Sequence, residues 1–104
     1  MSDRSANVSE MRVKFTRSAT KHRVSKDRIR HVIAHCGLAF EESAPSQASE
    51  ARDDRFVILG DDAEGTELEV MAVEGSKDEL VVIHAMELRQ KYRYQYEEAK
   101  QWRL

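Results

Sequence analysis

Between Arg55 and Met86 lie three runs rich in Val, Ile and Leu, residues 55–59, 66–73 and 80–86, and only the short loops DDAEG and EGSKD, one glycine each, separate them. A parallel neighbour needs a crossover of a dozen residues or more, so the runs can pair only as an antiparallel meander. Phe56 and Ile58 fall on one side of the first run, as a half-buried strand requires. At Glu87 the hydrophobic period changes to that of a helix. Leu88, Tyr92, Tyr96, Ala99 and Trp102 line one side, with Arg89, Arg93, Glu97 and Lys100 around the other. This C-terminal helix is expected to lie across the sheet or to dock on a partner.

Upstream, Ile29, Val32, Ile33 and Cys36 recur at i, i+3, i+4 and i+7, which predicts a second amphipathic helix. Ser25 stands where it can cap the first turn, Val24 and Ile29 occupy the positions of a hydrophobic staple, and Gly37 is expected to supply a left-handed stop. Thr16 to Arg23 reads as a helical turn or two, so the N-terminal part is one helix or a helix pair. Met11 to Phe15 alternates apolar and basic side chains as an edge strand does. The polar residues 1–10 read as a flexible tail, and residues 42–54, with the only proline, as a mobile loop. The expectation is an α+β fold: an N-terminal helix or helix pair on an antiparallel three- to four-stranded meander sheet, closed by a C-terminal helix. Residues 11–104 form a single domain, the size at which a chain supports one small core.

The net charge of −2 conceals a segregation. Residues 1–36 carry nine basic against three acidic side chains, residues 41–79 three against thirteen, and residues 80–104 five against three. If the fold joins the two basic ends, a positive face able to hold phosphate results, although the whole chain is slightly acidic. The apolar runs are too short to span a bilayer, and the opening MSDRSANVSE lacks the apolar stretch of a signal peptide. A cytoplasmic protein with no membrane association is expected, and the single cysteine, Cys36, suits a reducing compartment.

Few chemistries fit. His31 and His35 are four apart on the predicted helix, but zinc requires more ligands, and neither an HExxH nor a CxxC pattern is present, so no metal and no cofactor is expected. No GxSxG turn or glycine-rich phosphate loop occurs. His84 interrupts the apolar run LVVIHAM where the chain leaves the sheet, a place for a group that exchanges a proton near neutral pH. RQKYRYQY, residues 89–96, interleaves Arg89, Lys91 and Arg93 with three tyrosines; helical spacing turns Tyr92 and Tyr96 toward the core and leaves Tyr94 free to stack on a base. The charges opposite the Ile29 stripe, Arg28 among them, are available to RNA. RNA carries its own nucleophile, the ribose 2′-hydroxyl, so Arg, Lys, Tyr and His side chains suffice to cleave it.

Three stretches carry a resemblance: KHRVS at 21–25, DRFVILG at 54–60 and LVVIHAMELRQKYRYQYEEA at 80–99. In this order and spacing, residues 12–100 resemble the BrnT family of bacterial type II toxins, a branch of the RelE-like ribonucleases. The resemblance implies a RelE-like fold, metal-independent cleavage of RNA that inhibits translation, and neutralisation by a cognate antitoxin. By matching position it carries over Lys21, His22, Arg55, Arg89 and Arg93. The expected catalytic set is His84, Arg89, Arg93 and Arg55, and the expected RNA-binding set is Lys21, His22, Arg28 and Tyr94. The chain departs from the family pattern at Arg23, where the family has glycine, at Glu69, in a strand position usually apolar, and at His84-Ala85-Met86, where the family commonly has Ser-Ala-Arg. A catalytically inactive toxin-like domain that binds an antitoxin or another protein is the alternative.

Overall fold

The computed structural model describes residues 12–43, 54–76 and 78–102. The elements run β1 (Arg12–Phe15), a 3-10 turn (Arg17–Thr20), α1 (Lys26–Ala34), β2 (Leu38–Glu42), β3 (Arg55–Asp61), β4 (Glu67–Glu74), β5 (Glu79–Glu87) and α2 (Gln90–Trp102). The fold is α+β, with one five-stranded sheet in the order β1-β5-β4-β3-β2. The meander β3-β4-β5 is antiparallel as its short loops dictate. One strand exceeds the expectation, and the expected edge strand at the N-terminus is present with an unexpected direction of pairing. β2 adds antiparallel to β3, taking in Glu42 from the start of the expected loop, and β1 pairs in parallel with β5, so the sheet is mixed. The expected tail, 1–10, and the loop's residues 44–53 lie outside the described residues.

Helices cover both faces. On one, α1 and the 3-10 turn bury Ala19, Val24, Ile29, Val32 and Ile33 against Ile58, Leu68, Val70, Ala72, Leu80, Val82 and Ala85, with Cys36 packed alongside. Ser25 caps α1 as its position implies, its hydroxyl accepting from Arg28 N–H at 3.2 Å. Gly37 is not the left-handed stop expected of it: among the described residues the glycine with positive φ is Gly65. The helix ends at His35 instead, and Gly37 N–H donates to Leu59 O at 2.9 Å, starting the β2 pairing. The close approach of α1 to β3 depends on Gly60, where a Cβ would meet Val32 Cγ1 at 3.1 Å.

On the other face α2 buries Tyr92 and Tyr96 against Val57, Leu59 and Met71, with Leu38, Phe40, Ile83 and Leu88 around them. Trp102, expected on this stripe, is 83% exposed. Ten residues past Tyr92 at 100° each, it has rotated about 80° off the buried line. Among the described residues no helix is long and apolar enough to cross a membrane.

Candidate functional site

A departure from strand alternation builds the site. Met71 pairs with His84 but Ala72 with Val82, so Ile83 is an extra residue on β5. With strict alternation His84 would share the face of Leu80 and Val82 and enter the α1 core. The bulge turns it to the α2 face, where Glu69 of the neighbouring strand also projects.

Glu69 is 0% exposed, an acid in the middle of a buried strand, and it is fully engaged. Its Oε1 accepts the backbone N–H of Arg89 at 2.8 Å, directly before the first turn of α2. Its Oε2 accepts from Arg89 Nε at 2.7 Å and faces Arg89 Nη2 at 2.7 Å and His84 Nε2 at 3.1 Å. Burial alone pushes the carboxyl pKa up; the bonds from His84 and Arg89 outweigh it and hold the group below its ordinary value. Glu69 is therefore an anion, His84 must present an N–H to it through Nε2, and Nδ1 is left as the basic nitrogen of the neutral ring. The bond to Glu69 and burial oppose each other at Arg89, and its pKa is raised on balance.

His22 completes this cluster. Thr16 N–H and Oγ1–H both donate to Val82 O at 3.0 Å, and Ser18 Oγ–H to Ile83 O at 3.0 Å, which pins the 3-10 turn to β5 directly before His84. The chain then delivers the His22 ring edge-on to the His84 ring, centroids 5.6 Å apart. His84 is 22% exposed at its side chain and His22 is exposed, so the pair meets solvent.

A polar relay extends from Arg89 across the α2 face. The Arg89 guanidinium carbon lies 5.9 Å from the Tyr92 ring centre, Tyr92 Oη–H donates to the Glu42 carboxylate at 2.9–3.0 Å, and Arg55 Nε lies 3.6 Å from Glu42 Oε1. Arg93, one turn along α2, pairs with Glu67 at 3.0 Å and Glu97 at 3.2 Å. His84, Arg89, Arg93 and Arg55 thus share a face, but only His84 and Arg89 converge on one group.

The RNA-binding set is divided. His22 joins His84, and exposed Lys21 precedes it in the turn. Arg28 stands apart on the α1 side, its Nε donating at 2.8 Å to buried Asp62, which also takes the N–H groups of Glu64 and Thr66 at 2.9 Å. Tyr94, 74% exposed, is on the outer side of α2. His31 and His35 stack at 4.3 Å, and among the described residues no group of three or more His, Cys, Asp or Glu is placed to hold a metal ion. Sequence reasoning missed Glu69 and Glu42 as site residues; for Glu69 the signal was an acid flanked by Leu68 and Val70 in a run otherwise suited to burial. No family model, curated protein or solved structure matches the chain.

Proposed function

We propose that this protein is an RNA-cleaving toxin subunit of the BrnT-like kind, acting in the cytoplasm and held in check by a cognate antitoxin. One observation carries the reading: a partly exposed histidine, oriented by a buried carboxylate that this histidine and an arginine together keep ionised, stands beside a second histidine. In the reaction His84 Nδ1 takes the proton of a ribose 2′-hydroxyl, whose oxygen attacks the adjacent phosphorus. The bond from phosphorus to the 5′-oxygen breaks, and that oxygen takes a proton from protonated His22. The products are a 2′,3′-cyclic phosphate and a 5′-hydroxyl. Glu69 is a positioning residue that fixes the ring and stabilises the imidazolium formed on His84. Arg89, 39% exposed at its side chain, supplies positive charge near the anionic phosphorane.

A second reading is favoured by a specific observation: Arg55, Arg89 and Arg93 each face a carboxylate of this chain, Glu42, Glu69 and Glu67 respectively. Side chains so engaged suit an inactive domain that retains a partner-binding role. Inducing the chain in a bacterium, with and without the adjacent gene, separates the two. The nuclease reading expects growth arrest and fragmented RNA, relieved by His84→Ala or by the neighbour. Normal growth with intact RNA overturns it, and co-purification with the neighbour's product then supports the interaction domain.

A further inference from the structure

We propose that single-stranded RNA reaches the His22–His84 pair over a cationic track made by Arg17, Lys21, Arg23, Lys26 and Arg30, with the Phe15 ring as a stacking surface. The inference rests on the nuclease reading and adds where the substrate backbone lies. All five cations are exposed. Among the described residues Arg17, Lys21, Arg23 and Lys26 form no ion pair, and the contact of Arg30 with Asp27 is long, at 3.9 Å, to a carboxylate itself in open solvent. Most cations of the α2 face are the reverse: Arg89, Arg93 and Lys100 are held by carboxylates at 2.7–3.0 Å, Arg55 lies 3.6 Å from Glu42, and Lys91 sits over the Tyr92 ring. A phosphate arriving at the track displaces little, whereas one arriving on the α2 face must compete with existing pairs.

The backbone supplies independent support. Arg23 has φ of +69°, a left-handed conformation in which a Cβ is crowded and glycine is favoured. Its N–H bonds Thr20 O at 3.1 Å, as a glycine would, and its side chain is exposed, with no ion pair among the described residues. The guanidinium is thus presented at the expense of local strain, the pattern of a residue kept for binding. Phe15 is only half-buried, with Lys26 Nζ 5.4 Å and Arg30 Cζ 5.0 Å from its ring centre, so an aromatic face and two cations stand together. The track ends at His22, against His84.

The test is fluorescence anisotropy with a labelled twelve-nucleotide single-stranded RNA, using the full chain carrying His84→Ala to prevent cleavage. Each phosphate contact contributes about −0.7 to the slope of log K against log salt, so five contacts predict a loss of about 100-fold between 50 and 200 mM salt. Lys26→Gln with Arg30→Gln should reduce this to about 20-fold, and Lys91→Gln, whose Nζ lies 5.0 Å from the Tyr92 ring centre on the α2 face and outside the track, should leave it unchanged. Arg23→Gly should weaken binding about 3-fold or more while the thermal midpoint holds or rises, which a structural role for Arg23 does not predict. RNA binding with an unaltered slope in the double variant, or a lower midpoint in Arg23→Gly, overturns the track and leaves the nuclease reading standing. Absence of RNA binding in the parent overturns both. If the double variant loses binding to a polyglutamate peptide while its RNA slope is unaltered, the surface belongs to an acidic protein partner, and the track falls.

Discussion

Replacing Glu69 by Gln keeps the shape of the side chain and removes its charge. Three N–H groups of Arg89 and one of His84 converge on this carboxylate. An amide retains an acceptor for the Arg89 backbone but turns an NH2 toward the guanidinium or the histidine. Breaking a buried ion pair costs on the order of 3–5 kcal/mol. Arg89 is 39% exposed and regains some water, so the lower end applies, about 3 kcal/mol, or a fall of roughly 12–20 °C in thermal midpoint for a domain of this size. The paired replacement Glu69→Leu with Arg89→Met leaves neither charge stranded but still removes the acceptor of the residue-89 backbone N–H and of His84, so it should restore only part of the loss. The pH dependence is diagnostic. The folded pKa of Glu69 is lowered, so its contribution is complete above the unfolded value of about 4.3 and is lost as pH falls through the folded value. A protonated Glu69 resembles glutamine, so the gap between wild type and Glu69→Gln is widest at neutral pH and closes in acid. Urea denaturation followed by far-ultraviolet circular dichroism measures this; Trp102, 83% exposed, is too open to report on folding. A gap under about 1 kcal/mol at pH 7, or one independent of pH, refutes the account of Glu69 as a buried anionic anchor.

At the far end of the relay, burial and the Glu42 bond push the Tyr92 hydroxyl up to about 12. The neutral form is favoured in the folded state, so wild type loses roughly 2–3 kcal/mol as pH rises from about 10 through 12; Tyr92→Phe, less stable by about 1 kcal/mol at pH 7, should lack that alkaline loss in the same titration. Gly60→Ala places a methyl 3.1 Å from Val32 Cγ1 and should destabilise by about 1–2 kcal/mol. The penalty should shrink in a Val32→Ala background, as a double-mutant cycle by urea denaturation will read.

Legibility followed the range of the interactions. α1 was readable because its cap, staple and stripe lie within a dozen residues, and β3 to β5 because each loop is too short to allow another pairing. β2 was missed although Leu38 and Phe40 alternate with Ala39 and Glu41; five residues are a weak signal until β3 supplies a partner. The parallel pairing of β1 with β5 joins residues almost 70 apart and has no local mark. The site depends on such distant relations. His84 was readable as an anomaly, but its orientation depends on a bulge at Ile83 and its partner is fifteen residues upstream. Arg28 shows the converse: its charge suggested a nucleic acid, and its partner is an internal carboxylate, Asp62, thirty-four residues away.

On the proposed mechanism His84, aimed by Glu69, and His22 together break an RNA backbone. The direct measurement incubates the purified chain with end-labelled single-stranded RNA in excess chelator and identifies the fragment ends. The account predicts fragments ending in 2′,3′-cyclic phosphate, with rates reduced at least about 100-fold by His84→Ala or by His22→Ala in protein shown to be folded. Intact RNA with wild type, or cleavage by His84→Ala at the wild-type rate, contradicts it.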